Sequence, residues 1–152
     1  MGTENKGNIA IACDHAGFEL KQAILNHLVD SRYLIVDLGT NSTSSVDYPD
    51  FADELARVIR DGEADRGVLV CGSGIGISIA ANRHHNIRAA LIHDVYSARL
   101  SRMHNDANVI AFGGRLISET VAFECLRVFL NTEFEGGRHS ARVDKLRRCS
   151  ST

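Results

Sequence analysis

Short apolar runs alternate along the chain with longer stretches in which apolar positions recur every three or four residues. The short runs predict five buried β-strands, at 9–12, 34–38, 68–70, 89–92 and 109–112. The longer stretches predict amphipathic helices. Their apolar stripes are Leu20, Ile24 and Leu28; Phe51, Leu55, Val58 and Ile59; Tyr96, Leu100 and Met103; and Val121, Cys125, Leu126, Phe129 and Leu130.

Strands that alternate with helices predict an α/β fold: a single three-layer α/β/α domain over residues 1–152, with a five-stranded parallel sheet of the Rossmann/flavodoxin-like kind. If the first and third strands are neighbours, the expected strand order is 2-1-3-4-5. A basic tail, 138–152, follows the last helical stripe. We expect it to contribute arginines to a binding site.

The stretch Gly67 to Asn82, GVLVCGSGIGISIAAN, predicts a strand, a tight glycine loop and the start of a helix. Backbone N–H groups at a helix N-terminus carry partial positive charge, so the loop can hold a phosphate or a transient oxyanion. Cys71 lies at the mouth of this loop, where the same field favours its thiolate form. A reactive sulfur beside an oxyanion site is a catalytic arrangement.

Non-catalytic interpretations fit the same stretch. Glycine-rich loops often bind nucleotides, and a cysteine at a strand end is often only a small buried hydrophobe. The spacing matches neither GxGxxG nor GxxxxGK[ST], and Ile77 stands where a C-x5-R phosphatase loop needs arginine. Dinucleotide, P-loop and cysteine-phosphatase chemistry are therefore disfavoured, whereas catalysis and simple burial of Cys71 both stay open.

Other polar residues follow the predicted strands, where ligands bind in parallel sheets. Asp14 and His15 follow the first strand. This pair can move protons or bind a hydroxyl and a phosphate, although Asp14 can equally cap the next helix. His104 ends the fourth helix, where a C-cap and a catalytic acid or base are equally good interpretations.

Two arginines of the tail are spaced for one helical face. Arg138 and Arg142 lie four residues apart, with His139 beside them. Two guanidinium groups held in this way suit a phosphate dianion, but solvated surface charge is the commoner fate of such a run.

Composition narrows the partners and the location. The net charge is −2 and no long run of Lys or Arg occurs, which disfavours nucleic acid and acidic membranes as partners. The cysteines are far apart, without metal-binding spacing, and predict reduced thiols: Cys13, Cys71, Cys125 and Cys149. With a polar N-terminus and no apolar stretch of about 20 residues, we expect a cytoplasmic protein that uses neither a metal nor a cofactor.

Five segments in this order resemble the type B ribose-5-phosphate isomerase family, which includes allose- and galactose-6-phosphate isomerases. They are ACDHAGFELK, SVDYPDFA, CGSGIGISIAANR, SRMHNDANVIAFGGR and GGRHSARV. The resemblance implies interconversion of D-ribose 5-phosphate and D-ribulose 5-phosphate through an enediolate, in the non-oxidative pentose phosphate pathway, without metal or cofactor. It also implies homodimers, able to pair into tetramers, with active sites between subunits.

The resemblance assigns roles to individual residues. Cys71 would be the base that moves a proton between the first two sugar carbons, with Ser73 assisting and His104 opening the furanose ring. Some members use a glutamate of the glycine loop instead, at a place taken to be Ile77 here, so this chain would be of the cysteine type. The remaining residues would bind the substrate: Gly72, Gly74, Ile75 and Gly76 the enediolate, Asp14 and Tyr48 the sugar oxygens, Asn105 the substrate, and His15, Arg115, Arg138 and Arg142 the phosphate.

Three other functions stay open from the residues alone. The first is an isomerase of six-carbon sugar phosphates, including a subunit of galactose-6-phosphate isomerase. The second is a flavodoxin-like phosphate or nucleotide binder in which Cys71 is incidental. The third is a hydrolase in which Cys71 is a covalent nucleophile.

Overall fold

The computed structural model describes residues 4–148, so Cys149 and the end of the tail lie outside the described residues. The predicted strands and helices are confirmed. The strands are β1 Gly7–Cys13, β2 Tyr33–Asp37, β3 Arg66–Cys71, β4 Ala89–Leu91 and β5 Val109–Gly113. The helices are α1 Phe18–Leu28, α2 Tyr48–Arg60, α3 Ile75–Asn82, α4 Val95–Met103, α5 Glu119–Asn131 and α6 Ser140–Arg147, with 3-10 turns at His15–Gly17 and Gly137–His139.

The strands form one parallel sheet in the order β2-β1-β3-β5-β4. The expected pairing of the first and third strands is confirmed, but the expected order of the last two is wrong. β5 pairs with β3 from Gly67 against Val109 to Cys71 against Gly113, and its five residues are all buried. β4 has only three residues, each partly exposed. The longer strand, which is fully buried, therefore takes the inner place, and the short one forms the edge.

Asn82, at the end of α3, covers the exposed edge of β4. Its amide Nδ2 donates to the carbonyl of Ala89 at 2.9 Å, and its Oδ1 accepts from the Ala89 N–H at 2.8 Å. An edge strand whose backbone groups are paired in this way offers fewer free groups to another strand.

Helices cover both faces of the sheet, which confirms the three-layer architecture. Alternate residues of β1 face opposite sides: Ile9, Ile11 and Cys13 pack in the core with α1 and α5, whereas Ala10 and Ala12 pack in the core with α2 and α3. Within residues 4–148, no helix combines the length and the apolar character needed to cross a membrane.

A buried ion pair fixes the segment that follows β2. Lys21 of α1 is fully buried, and its Nζ lies 2.7 Å from Oδ1 of Asp37, which also accepts from the Gly39 N–H at 3.0 Å. The Gly39 carbonyl accepts from the Cys13 N–H at 2.7 Å, and the Cys13 carbonyl accepts from the Thr40 N–H at 2.8 Å. The end of β1, where the polar residues of the first loop begin, is thereby tied to the chain after β2.

We expect Asp37→Asn to lower the free energy of unfolding by about 3–5 kcal/mol, because it leaves the Lys21 ammonium buried without a countercharge. Urea unfolding of the variant against the wild type measures this loss. The double variant Lys21→Met with Asp37→Asn removes both charges and should recover most of it. Equal stability of the single variant and the wild type would contradict this account of the pair.

Candidate active site

An open groove of about 510 Å³ lies at the carboxyl ends of β1 and β3, where the chain crosses to opposite sides of the sheet. It brings together most of the residues predicted to form the site. Its lining comprises Asp14, His15, Ala16, Tyr48, Cys71, Gly72, Ser73, Ile75, Gly76, Arg115 and Leu116. The polar clusters after the first and third strands meet there, as the strand pairing predicted.

Cys71 is the last residue of β3 and is only 4% exposed. Its sulfur accepts a hydrogen bond from the Gly74 N–H at 3.1 Å. The backbone of the glycine loop therefore contacts the sulfur directly.

Two other described cysteines, Cys13 and Cys125, have different surroundings. Burial raises the pKa of each thiol to about 11, and for Cys13 the nearby Lys21 charge only partly opposes that effect. The Cys13 sulfur donates to the Thr40 carbonyl at 3.9 Å, as a neutral thiol does. Cys13 and Cys125 are therefore structural residues, whereas Cys71 lies in a groove beside a backbone donor.

Two glycines of the loop make room for functional side chains. A Cβ on Gly72 would lie 2.9 Å from Nη1 of Arg115, so this guanidinium group packs directly against the loop backbone. A Cβ on Gly76 would lie 2.6 Å from the ring of Tyr48. Glycine at these positions allows Arg115 and Tyr48 to reach the floor of the groove.

Gly74 shapes the turn into α3. It has a φ of 76°, in the left-handed region, and caps the N-terminus of the helix. The next N–H, that of Ile75, donates to the Ser73 hydroxyl at 3.2 Å. Two successive N–H groups at the start of α3 thus donate to Cys71 and Ser73, which both line the groove.

The residues after β1 have defined hydrogen bonds. Oδ1 of Asp14 accepts from the N–H groups of Ala16 and Gly17, each at 3.0 Å, so Asp14 is a cap as well as a residue that lines the groove. Nδ1 of His15 accepts from the Val46 N–H at 3.2 Å. The neutral His15 ring then carries its hydrogen on Nε2, which leaves a donor for a ligand oxygen.

Ile75 and Ile77, two residues apart at the start of α3, have different surroundings. Ile77 is fully buried in the core between α3 and the sheet, whereas Ile75 is 50% exposed and lines the groove. Residues two apart on a helix point to nearly opposite sides. Ile75 is therefore the isoleucine of this turn that lines the groove, and Ile77, the place taken for a glutamate in other members, packs in the core here.

Gly74 is not part of the groove lining but donates to the Cys71 sulfur, and four other predicted residues lie away from the groove: His104, Asn105, Arg138 and Arg142. His104 is the C-cap of α4, as one of its two interpretations predicted, and its ring stacks on that of His139 with centroids 4.3 Å apart. Burial lowers the pKa of His139, and the neighbouring His104 and Arg138 lower it further.

The tail is helical, which is the condition for Arg138 and Arg142 to share one helical face. Arg138 lies in the last 3-10 turn and Arg142 in α6, and both side chains are exposed. Neither forms a salt bridge within the part of the chain that the structure describes. Two exposed and uncompensated guanidinium groups are available to an anion.

The sheet register separates these four residues from Cys71. Cys71 pairs with Gly113 at the carboxyl end of β5, whereas His104 precedes Val109 at the opposite end. The four residue steps of β5 span about 13 Å at about 3.3 Å per residue. Within one chain, His104 therefore lies at the amino-terminal end of the strands and Cys71 at the carboxyl-terminal end. These two ends are called the amino and carboxyl edges of the sheet.

Sequence reasoning missed two residues near His104, namely Asp106 and Glu135, and gave His139 no role of its own. Asp106, with a φ of 46°, accepts from Arg102 at 2.9 Å and from Arg147 at 2.8 Å, which ties α6 to the end of α4. Glu135 and His139 complete a group of three possible metal ligands with His104, although the spacing of the sequence had indicated no such group. The loop after α5 folds back onto α4, and no local pattern predicts that contact.

Comparison with known proteins identifies the family of this chain. The model of the Ribose/Galactose Isomerase family matches residues 9–146. The chain belongs to this family. Ribose-5-phosphate isomerase B of Escherichia coli strain K12 is 46% identical over 138 residues, which are 91% of this chain and 93% of that protein.

Solved structures of the family have the same fold. A ribose 5-phosphate isomerase from Thermotoga maritima is 49% identical, with a TM-score of 0.90, over 92% of this chain and 97% of that one. Ribose-5-phosphate isomerase B from Mycoplasma genitalium, solved with bound ribulose-5-phosphate, is 40% identical, with a TM-score of 0.86, over 92% and 93%.

We expect Gly74→Ala to be more destabilising than Gly62→Ala. Both glycines have nearly the same left-handed φ, 76° and 77°. Placing alanine in this conformation should therefore lower the free energy of unfolding by a similar amount in each variant, about 1–2 kcal/mol. A Cβ at Gly74 would also lie 2.8 Å from the Phe112 carbonyl carbon, whereas at Gly62 it meets nothing within 4 Å.

The crowding should add about 1–3 kcal/mol to the loss for Gly74→Ala, measured by urea unfolding of both variants. Equal losses would show that the loop can move away from β5, contrary to the tight contact described above.

Proposed function

We propose that this chain interconverts ribose 5-phosphate and ribulose 5-phosphate through an enediolate, with Cys71 as the base. The family assignment makes the chain an isomerase. The observation that carries the proposed mechanism is the placement of Cys71 in the groove, with its sulfur accepting from the Gly74 N–H. A similar protein holds ribulose-5-phosphate in its solved structure.

In this mechanism the Cys71 thiolate removes the proton from C2 of the open-chain aldose. The electrons of that C–H bond form the C1–C2 double bond, and the C1 carbonyl oxygen takes the negative charge. A proton passes from O2 to O1, with Ser73 assisting. The thiol then returns its proton to C1 as the carbonyl forms at C2, so the base is regenerated.

The loop stabilises the charge that develops in this step. Gly72, Gly74, Ile75 and Gly76 surround the start of α3, whose N–H groups form the positive end of the helix dipole. Fixed donors aimed at a developing oxyanion contribute about 10²–10³ in rate. Asp14 and Tyr48, on the walls of the groove, contact the sugar hydroxyls.

The phosphate is held at a distance from the reacting carbons. Arg115 lies against Gly72, and His15 has a donor on Nε2. Binding the phosphate there positions C1 and C2 against Cys71 without taking part in proton transfer. We assign Arg138 and Arg142 to the same phosphate, from a second subunit.

We propose that the active unit is a homodimer, which can pair into a tetramer, with each site shared between subunits. His104 and Asn105 lie at the edge of the sheet opposite to Cys71, so ring opening by His104 requires the neighbouring chain. The outer face of α3 supports such an interface, because Ile79 is 64% exposed beside the half-exposed Ile75.

We also propose a cytoplasmic location and a role in the non-oxidative pentose phosphate pathway. The described cysteines Cys13, Cys71 and Cys125 are free thiols, which suits a reducing compartment.

Six-carbon sugar phosphates are the second candidate substrates, because the family to which the chain belongs also includes galactose isomerases. Parallel assays on ribose 5-phosphate, allose 6-phosphate and galactose 6-phosphate decide between them. Activity only on a six-carbon sugar would replace the proposed substrate and leave the proposed mechanism in place.

We expect Cys71→Ala to lower kcat on ribose 5-phosphate by about 10²–10⁴ while the affinity for inorganic phosphate is kept. The assay is run in EDTA with the purified chain. Cys125→Ala is the matched control, because this buried thiol packs on the other face of the sheet and should leave kcat unchanged. A Cys71→Ala enzyme with wild-type turnover would exclude Cys71 as the base.

We expect co-expressed Cys71→Ala and His104→Ala chains to regain about a quarter of the wild-type activity. Half of randomly formed dimers are mixed, and each mixed dimer has one intact site if the two residues come from different subunits.

The control is co-expression of a Cys71→Ala chain with an Asp14→Asn chain. Both substitutions lie in the same groove, so no intact site forms and no activity should return. Recovery in the control, or none in the first pair, would contradict sites shared between subunits.

A further inference from the structure

A group of three potential metal ligands lies at the amino-terminal edge of the sheet: His104, Glu135 and His139. Their donor atoms lie within 4.8 Å of one another. His104 ends α4, Glu135 belongs to the loop after α5, and His139 ends the 3-10 turn before α6. The mechanism proposed above uses only His104, and Glu135 and His139 have no part in it.

His139 has a buried nitrogen with no protein partner. Only 7% of its side chain is exposed, and Nε2 makes no hydrogen bond within residues 4–148. The nearest carboxylate oxygen, Oε1 of Glu135, is 4.0 Å away, which is too far for a hydrogen bond. A buried polar atom without a partner is costly, so this nitrogen is placed for a ligand.

The backbone around the three ligands is fixed before any ligand arrives. The Glu135 N–H donates to the Met103 carbonyl at 3.1 Å, and Nε of Arg102 donates to the Thr132 carbonyl at 3.1 Å. The His139 N–H donates to the Gly136 carbonyl at 3.0 Å. These bonds hold the loop after α5 against the end of α4, so only side chains need to move.

We propose that His104, Glu135 and His139 bind a first-row transition-metal ion, with Zn²⁺ as the test ion. Two imidazole nitrogens and one carboxylate oxygen are a known ligand set for zinc, with a fourth position left for water. Tetrahedral bonds of about 2.0–2.1 Å place donor atoms about 3.4 Å apart. The stacked rings must turn toward one another to reach this, and the half-buried His104 and exposed Glu135 are the side chains free to move.

Metal bound at this site would remove His104 from the reaction. A histidine nitrogen that coordinates a metal cannot exchange a proton with the sugar, so bound zinc should inhibit ring opening. This consequence rests on the role proposed for His104, whereas metal binding itself does not. The proposed reaction uses no metal, but metal bound at this site would inhibit it.

The test is calorimetric titration of untagged, EDTA-treated and desalted protein with ZnCl₂. We expect one Zn²⁺ per chain, and Glu135→Gln should weaken binding at least about tenfold, because it removes the only anionic ligand. Glu133→Gln is the matched control: it changes the same exposed residue type in the same loop and should bind as the wild type does.

A second measurement separates this site from Cys71, which is itself able to bind zinc. Cys71→Ala should keep the affinity, and Co²⁺ added to the wild type should give visible bands of nitrogen and oxygen ligation without sulfur charge transfer. Unchanged affinity in Glu135→Gln, or lost affinity in Cys71→Ala, would overturn the proposed site.

Activity is measured separately on the same samples. Turnover of ribose 5-phosphate in EDTA tests the proposed reaction. If no turnover is measured, the titrations still test zinc binding at this site. If turnover is present, ZnCl₂ should inhibit the wild type and Glu133→Gln at concentrations at least about tenfold below those for Glu135→Gln. Tight zinc binding at this site without loss of turnover would overturn the inhibition of ring opening by bound zinc.

Discussion

The contact between the loops at the carboxyl ends of β3 and β5 is the constraint on which the groove depends. The Gly114 N–H donates to the Cys71 carbonyl at 2.8 Å, and the Arg115 N–H donates to the Gly72 carbonyl at 3.0 Å. A Cβ at Gly113 would lie 2.6 Å from the Ser73 carbonyl oxygen. Because the two backbones touch, the strand that carries the sulfur and the loop that carries the arginine cannot move independently.

This contact requires β5, and not β4, beside β3. The correct strand order is therefore a condition for the site and not only a detail of topology. With β4 in the inner place, Arg115 would follow an edge strand and would lie one strand further from Cys71, about 4.8 Å more in the hydrogen-bonding direction. The buried run of β5 thus explains both the sheet order and the position of the arginine.

Much of the fold and of the groove is predictable from the sequence, because it depends on local patterns. Apolar runs mark the strands, and a polar residue after each strand reaches the ligand-binding edge. The pattern fails where long-range packing decides. The order of β4 and β5 and the contact of Glu135 with the end of α4 both depend on which surfaces meet in three dimensions.

The same limit explains why the histidine side of the proposed shared site is harder to predict. His104 and Arg138 are far apart in sequence, and neither joins the groove of its own chain. Only the register of β3 with β5 shows that they lie at the other edge of the sheet. A sequence gives no direct indication of contacts that an assembly makes.

Helix direction accounts for the different chemistry at the two edges. In a parallel sheet, helices begin at the carboxyl edge and end at the amino edge, so the first edge receives positive helix ends and the second receives negative ones. The start of α3 at the groove favours phosphate and the enediolate. The end of α4, capped by His104, favours a cation or a protonated imidazole. The proposed mechanism needs an anion site and an imidazole side by side. In one chain these lie at opposite ends of the strands, so the mechanism requires the shared site that we propose between two subunits.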